Sequence, residues 1–321
     1  MNSDKDYPLV SIGMPTYNGV RYICEAIESL LAQDYPNFEL IISDNGSTDE
    51  TPRICRKYAD RNPRIVFYRS ETNRGLVYNY NNLLTLASGK YFMWAADDDT
   101  REHDYISQCV AHLESHPETV LCHSLIGIID ARSCLQSVKD QPMRVEAASA
   151  FRRHRTLLRD VNSVFPIYGI MRTEVAKSTR RIQSYYGSDY GFVSEIALRG
   201  NIFQIPRVLF RFRIHREEDL HTYVKRLVSS LAPGSRHRTG RSLRLIVAAN
   251  LARNVMRTQE AGFAKACMLI DIVFYYIFTY DTILEFHRMT SEILGPKVTD
   301  GLERVLRPVW RISRPRKNRR E

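Results

Sequence analysis

Short apolar runs alternate with amphipathic stretches through the first 125 residues. The runs Leu9–Met14, Phe38–Ser43, Ile65–Arg69 and Tyr91–Ala95 have the length and bounding polar clusters of buried strands. Between the first two, Ile23, Ile27, Leu30 and Leu31 within Val20–Gln33 fall at helical spacing and predict a helix facing the sheet. Asp49–Asp60 opens with acidic residues and a proline in its first turn, a helix start. Tyr78–Ala87 predicts a third helix, closed by Ser88-Gly89. This is the order of βα units around a mainly parallel sheet. In such sheets ligands bind outside the carboxyl ends of the strands. Pro15-Thr16-Tyr17-Asn18, Asp44-Asn45-Gly46-Ser47 and Asp97-Asp98-Asp99 are therefore expected at one rim.

The middle of the chain is less regular. Thr119–Ile129 reads as a buried strand, Ile167–Arg172 as a short one, and Phe192–Arg199 as a helix after Gly187-Ser188-Asp189. Ile202–Ile214 alternates around Pro206 and predicts an edge strand or hairpin. From Arg241 the pattern turns helical: Leu243, Ile246, Val247, Leu251 and Val255 form one stripe, and a second helix is expected over Ala261–Met289. Ala232-Pro233-Gly234-Ser235 has linker composition, and Arg304–Arg320 is a Pro- and Arg-rich tail expected to be poorly ordered. The pattern divides the chain into a body over 1–230, with halves at about 1–105 and 106–230, a helical extension over 231–303 and a basic tail over 304–321.

With 44% hydrophobic and 26% charged residues among 321, the composition is that of a folded protein. The net charge of +10 changes the picture once it is divided. Residues 231–321 hold 17 Lys and Arg against 8 Asp and Glu, and the remainder holds 29 against 28. A uniformly basic nucleic-acid coat is excluded, and a basic end facing an anionic partner is left. The six cysteines (Cys24, Cys55, Cys109, Cys122, Cys134, Cys267) form no CxxC pair, which argues against a zinc site and for a reducing compartment. The opening MNSDKDYPLV has no apolar core of a secretory signal. Ala266–Phe286 is broken by Asp271, Asp281 and Glu285, whereas a spanning helix needs ~20 mostly apolar residues. A cytoplasmic protein without a membrane span is expected.

Three adjacent carboxylates repel one another, so Asp97-Asp98-Asp99 at a strand end points to a hard divalent cation, Mg²⁺ or Mn²⁺, shared with substrate phosphates. The alternative is a capping box of Asp99 and Glu102 on a helix beginning near Thr100, which accounts for one aspartate of the three. Asp44 can accept a hydrogen bond from a ring N–H of a bound base while Ser47 or Thr48 caps the next helix. The competing reading makes that whole stretch, like Pro15–Asn18, turn and cap. There is no GxGxxG, and Ser88-Gly89-Lys90-Tyr91 lacks the earlier glycine and the Ser or Thr of a P-loop.

Taken in order, Val10-Ser11-Ile12-Gly13-Met14-Pro15-Thr16-Tyr17-Asn18, then Glu28–Asp49 with its Asp34-Tyr35-Pro36 and Ser43-Asp44-Asn45-Gly46-Ser47-Thr48-Asp49, closely resembles the opening of family 2 glycosyltransferases of the GT-A fold. Asn73-Arg74-Gly75-Leu76 and the strand running into Asp97-Asp98-Asp99 extend the resemblance, which covers about residues 8–216 and is strongest before 105. It implies an α/β GT-A catalytic domain with a Rossmann-like, mainly parallel sheet, a nucleoside diphosphate sugar donor, a divalent metal and an inverting transfer to a hydroxyl of a glycan or lipid-linked acceptor.

By the same resemblance, Pro15, Thr16, Tyr17 and Asp44 match positions that cradle the donor base and ribose, and Arg74 lies where a donor contact is expected. Asp98 and Asp99 match the metal-binding acidic motif, with Asp97 near the ribose or sugar. Ala96 stands where the family commonly has an aspartate, so the acidic run is shifted. Gly187-Ser188-Asp189-Tyr190 resembles the segment carrying the catalytic base, here with Ser188 in place of the usual preceding acid, which leaves Asp189 as the base. Asp189 can instead be the N-cap of Phe192–Arg199. His215, in Arg211-Phe212-Arg213-Ile214-His215, resembles a histidine that approaches the metal or diphosphate, and Tyr168–Arg172 resembles a segment near the acceptor cleft.

The helical stretches after 232 fall outside the resemblance. Phe274, Tyr275, Tyr276, Phe278 and Tyr280 cluster there, for packing on the body, a dimer surface or a lipid interface. The Arg-rich tail fits an anionic membrane surface and peripheral attachment at its inner face. Two rival functions remain. A metal-dependent nucleotidyltransferase needs a Gly/Arg/Lys-rich phosphate loop after the first strand, which Pro15-Thr16-Tyr17-Asn18-Gly19 is not. A nucleic-acid-binding protein using the basic end leaves the acidic rim without a purpose.

Overall fold

The computed structural model describes residues 7–139, 143–160, 164–214 and 243–277. The first half runs β1 (Val10–Thr16), α1 (Ile23–Leu31), β2 (Phe38–Asp44), α2 (Thr51–Arg61), β3 (Ile65–Arg69), α3 (Leu76–Leu86) and β4 (Tyr91–Trp94). There follow β5 (Thr100–Arg101), α4 (Tyr105–Ser115), β6 (Thr119–Ile129), β7 (Leu135–Lys139), α5 (Ala150–Asp160), a 3₁₀ turn (Phe165–Tyr168), β8 (Ile170–Arg172), α6 (Thr173–Ser178), α7 (Ser188–Arg199) and β9 (Asn201–Arg213). Two helices close the described chain, α8 (Leu243–Met256) and α9 (Gly262–Ile277).

One sheet carries all nine strands, in the order β3-β2-β1-β4-β8-β6-β9-β5 with β7 hydrogen-bonded to β6. β3, β2, β1 and β4 are parallel, as the βα alternation predicts. β8 runs antiparallel between β4 and β6 and joins this half to the parallel pair β6–β9. β1 is buried along its whole length and β2 nearly so, which is why both read as continuous apolar runs rather than alternating ones. α1 turns Ile23, Ala26, Ile27 and Leu30 into the sheet. α3 lies so close to β1 that a Cβ on Gly13 would come 2.9 Å from the Cβ of Leu83.

Three expectations are corrected here. Ile202–Ile214 is an edge strand only in part: β9 pairs with β6 along its length and on its other side with β5 at Phe210 and Arg211 and with Val145 at Ile202, and its register with β6 shifts between Ser124 and Leu125, opposite the step from Ile205 to Val208. Pro206 is accommodated in that irregularity, where no ladder N–H is required. The strand expected over Ile167–Arg172 is a 3₁₀ turn through Tyr168 followed by β8. α7 begins at Ser188, four residues before Phe192, because Gly187 takes a left-handed conformation (φ +84°) that starts the helix there.

α8 and α9 pack on the body. Val247, Leu251, Val255, Met268 and Ile272 form an apolar cluster with Ala150 and Leu158 of α5 and Leu198 of α7. Of the aromatic cluster after Asp271, the side chain of Phe274 alone is described, and the expected continuation of α9 to Met289, the linker near Pro233 and the tail 304–321 lie outside the described residues. No helix among the described residues is long and apolar enough to cross a membrane.

Candidate active site

The carboxyl ends of β1 and β2 are tied together by their own loops. Asn18, in the left-handed region at φ 55°, donates its N–H to Ser47 Oγ (2.8 Å) and accepts the Thr48 N–H at Oδ1 (2.9 Å). The Asn45 N–H donates to Thr16 O (3.0 Å), and its side chain reaches on to Asn73 Oδ1 and Gly75 O while Oδ1 accepts the Arg74 N–H (3.0 Å). One buried amide thus locks three loops of the rim. Ser47 and Thr48, expected as caps, cap nothing; α2 follows Glu50, and the Thr51 N–H donates to Asp49 Oδ1 (3.0 Å).

The expected donor-binding residues gather on this rim. Pro15 and Thr16 are buried in the last turn of β1, whereas Tyr17 is 47% exposed. Asp44 is wholly buried. Its Oδ1 accepts the Ser47 N–H (3.1 Å), and Oδ2 lies 3.2 Å from Nε of half-exposed Arg69, in ion-pair range without hydrogen-bond geometry, so that an acceptor position stays unused. Arg74 is exposed, with its guanidinium 3.5 Å from the centroid of the Tyr78 ring.

β4 delivers the acidic run to the same rim. Thr16 Oγ1 donates to Asp97 Oδ2 at 2.5 Å, which joins the run to β1. A Cβ on Gly19 would lie 2.2 Å from that carboxylate oxygen, so the close passage of the β1 loop over Asp97 requires glycine. Asp97 and Asp98 are half-buried, whereas Asp99 is 1% exposed. Asp99 does not cap a helix. Thr100–Arg101 forms β5 against β9, and α4 starts only at Tyr105. Asp99 Oδ1 accepts the Arg213 N–H (2.9 Å), and Oδ2 has no hydrogen-bond partner. Burial, and then the charge of Asp98, hold this carboxyl well above the usual carboxylate range.

Among the described residues no three His, Cys, Asp or Glu side chains are grouped to hold a cation unaided. Mg²⁺ rarely asks for this, being held by one or two carboxylates together with substrate phosphates. A buried carboxylate oxygen without a donor, next to a second carboxylate, is an all-oxygen set that fits Mg²⁺ or Mn²⁺. His215 lies outside the described residues.

Asp189 approaches from α7. It stands in the first turn, not at the cap, which is Gly187, and its Oδ1 accepts the Tyr190 N–H at 2.8 Å. Phe192, on the same helix face three residues on, packs edge-on against Trp94 at 5.1 Å. Trp94 is the last residue of β4 and donates Nε1–H to Tyr80 O (3.1 Å). The helix carrying Asp189 therefore packs, through Phe192, on the last residue of β4, which leads into the acidic run. Burial pushes the Asp189 carboxyl up from its ordinary value.

The model of the family described as glycosyl transferase family 2 matches residues 11–178, half of the sequence. The chain belongs to this family. Relatives of the family 2 enzyme include an uncharacterized glycosyltransferase of Rickettsia prowazekii, 30% identical over 225 residues that cover 68% of either chain. Another is an uncharacterized glycosyltransferase of Haemophilus influenzae, 29% identical over 222 residues (67% of this chain, 68% of the relative). Among solved structures, S. aureus TarS 1-349 in complex with UDP-GlcNAc aligns with a TM-score of 0.61 at 18% identity, over 91% of this chain and 83% of that one. The Pyrobaculum calidifontis mannosyltransferase PcManGT, in complex with GDP-Man and Mn²⁺, aligns at 0.57 and 15% identity, over 96% and 85%. These likenesses bear out the GT-A fold, and the family makes sugar transfer the activity.

Two residues of the family 2 enzyme's site escaped the sequence reading. Gly19 carried a signal in Asn18-Gly19, a turn dipeptide directly after a strand, but nothing local names Asp97 as what it must clear. Arg213 stood in the Arg211–His215 segment, where only the histidine drew notice. Its fully buried side chain donates to Asp98 O (2.7 Å), Asp130 O (3.0 Å), Ser133 Oγ (3.0 Å) and Glu25 Oε2 (2.8 Å), with the guanidinium 4.3 Å from the Tyr22 ring centroid. With its own N–H on Asp99, Arg213 fixes the acidic run by both backbone and side chain.

Proposed function

We propose that the enzyme is a metal-dependent inverting glycosyltransferase that moves a sugar from a nucleoside diphosphate sugar to a hydroxyl of a glycan or lipid-linked acceptor, in cell-surface polysaccharide synthesis. The observation that carries this reading is the acidic run at the end of β4, held by Thr16 and Arg213, with the helix that carries Asp189 packed on the same strand through Phe192 and Trp94. The nucleotide sugars in the complexes of TarS and PcManGT, and the Mn²⁺ in the latter, support a donor and a cation of the same kinds.

Pro15, Thr16, Tyr17, Asp44 and Arg74 bind the base and ribose, and Asp97, oriented by Thr16 and Gly19, faces the ribose or sugar. Asp98 and Asp99 would hold Mg²⁺ or Mn²⁺. When bound, the cation supplies charge neutralisation to the departing diphosphate. Asp189 takes the proton of the acceptor hydroxyl. The acceptor oxygen forms its bond to the anomeric carbon from the face opposite the diphosphate, the anomeric C–O bond breaks, and its electron pair leaves on the diphosphate. One base and a single displacement invert the configuration. A carboxyl raised by burial suits the task, because a base works best with its pKa nearer the operating pH. The basic tail brings the enzyme to an anionic membrane face where a lipid-linked acceptor resides.

The test is a thermal-shift screen of UDP-, dTDP- and GDP-sugars with and without Mn²⁺. At a hundredfold excess over Kd, a donor raises stability by ~2.7 kcal/mol. A Mn²⁺-dependent rise with one base class is expected, and no such rise with any of them overturns the reading.

A further inference from the structure

We propose that α8 is a positioning helix for the acceptor-activating aspartate, acting through Asn254 and Val247 on the turn that carries Asp189. The inference rests on the reading of Asp189 as base. Within the described residues the Asp189 carboxylate hydrogen-bonds to backbone N–H of its own turn, so its place is set by that backbone and by no neighbouring side chain. What holds the backbone is α8, which lies beyond the family match at 11–178.

Three contacts make the hold. Buried Asn254 donates Nδ2–H to Gly191 O at 2.9 Å, two residues from Asp189. Val247 packs on the start of the turn: a Cβ on Gly187 would lie 3.0 Å from its Cγ2, and Gly187 is also the residue at φ +84° that begins α7. Arg180 closes the loop of contacts. It donates to Asn254 Oδ1 and Asn250 Oδ1 (both 3.2 Å), and its N–H donates to Glu195 Oε2 of α7 (2.9 Å). Tyr185, which packs on the same apolar cluster as Val247, adds to the hold: a Cβ on Gly191 would stand 2.0 Å from its Oη, and the Ser188 N–H donates to its carbonyl oxygen (3.2 Å). The turn is thus held at Gly187 and at Gly191.

If α8 merely covered the apolar back of α7, Leu251 and Val255 would suffice and the asparagines would be interchangeable. They are not equivalent. Both receive Arg180, but Asn254 reaches the α7 backbone, whereas the Asn250 amide donates to Ile246 O of its own helix (2.8 Å). Asn254→Asp keeps a partner for Arg180 and removes the donor to Gly191 O; Asn250→Asp is its matched control.

The experiment is amide hydrogen exchange on the full chain, with nucleoside diphosphate release from UDP-GlcNAc or GDP-mannose, whichever the Mn²⁺ screen selects, as the kinetic readout. For Asn254→Asp, exchange at 188–192 is expected to rise about tenfold with β1–β4 unchanged. The kcat should fall about 10- to 100-fold with the donor KM within about twofold, since a displacement of ~1 Å costs up to ~10²-fold. Asn250→Asp should show neither change, and Asn254→Ala replaces Asn254→Asp if the latter does not fold. Indistinguishable exchange and kcat in the 250 and 254 variants would overturn the positioning role and leave the base assignment standing. Retained turnover in Asp189→Asn would remove the base assignment, and the exchange data at 188–192 would still decide whether α8 holds the turn.

Discussion

Two regions of the molecule are ordered by different physics. At the β1–β2 rim, Thr16, Asn18, Asn45, Ser47 and Asp97 hold one another through short polar links between loops that leave neighbouring strands. At the start of α7, Asp189 rides on a helical turn whose support is another helix, packed through Val247, Leu251 and Val255 and fixed by one amide. A polar rim specifies the place of each side chain separately, because an unmade buried hydrogen bond is costly. A packed turn specifies a backbone, and the side chain on it inherits its position. Damage should therefore stay local on the first side and spread along α7 on the second.

The largest effect expected is at Asp189, the proposed base. Asp189→Asn should lower turnover about 10²- to 10⁴-fold with donor binding, measured by calorimetry, unchanged. With Asp189 as the proposed base, a carboxyl raised by burial should place the acid limb of kcat above the ordinary aspartate value of 3.8, with rate lost as pH falls through it. Arg213→Met comes next. Removing a buried guanidinium strands the Asp98, Asp130 and Ser133 acceptors, at ~3 kcal/mol, read as a lower denaturant midpoint together with weaker Mn²⁺ binding. A normal Mn²⁺ affinity would show that the acidic run does not need its clamp.

Gly19→Val should be milder and confined to the rim. A side chain at 19 collides with Asp97, so donor affinity should fall about tenfold, ~1.4 kcal/mol, while exchange at 188–192 stays as in the parent; movement there would break the contrast between the two sides. The smallest effect concerns pH. Asp99 titrates above its free value in the fold, so the stability it lends is complete below about 3.8 and is lost as pH rises through the raised value. In metal-free protein, Asp99→Asn should flatten that loss, so that its melting temperature declines about 2–4 °C less than the parent's over the same rise in pH. A variant whose melting follows the parent's pH dependence would mean that another group carries it.

The same contrast governs what could be read from the chain. The strands β1 to β4 and the rim they carry were legible because each depends on a few consecutive residues: a buried run, then a polar turn. Asp97-Asp98-Asp99 stood out for the same reason, since mutual repulsion is a local fact. Pro206 showed half of its surroundings, because a proline signals a missing donor but not that a bulge against β6 absorbs it. The cap readings of Asp99, Ser47 and Asp189 failed where Thr100–Arg101 pairs with β9, where α2 starts only after Glu50, and where Gly187, at positive φ, starts α7. Neither Arg213 nor Asn254 has any local mark, since what each touches is brought to it by the fold.

Arg213 has a consequence for the order in which the enzyme comes into being. Its contacts to Asp98 and Asp99 span 115 and 114 positions of sequence. A chain emerging from the ribosome can pair β1, β2, β3 and β4 early, from local βα units. The acidic run must wait until β9 has been made and has docked, since contacts of long sequence separation close late. A nascent chain thus leaves its three adjacent carboxylates unclamped until β9 lies beside them.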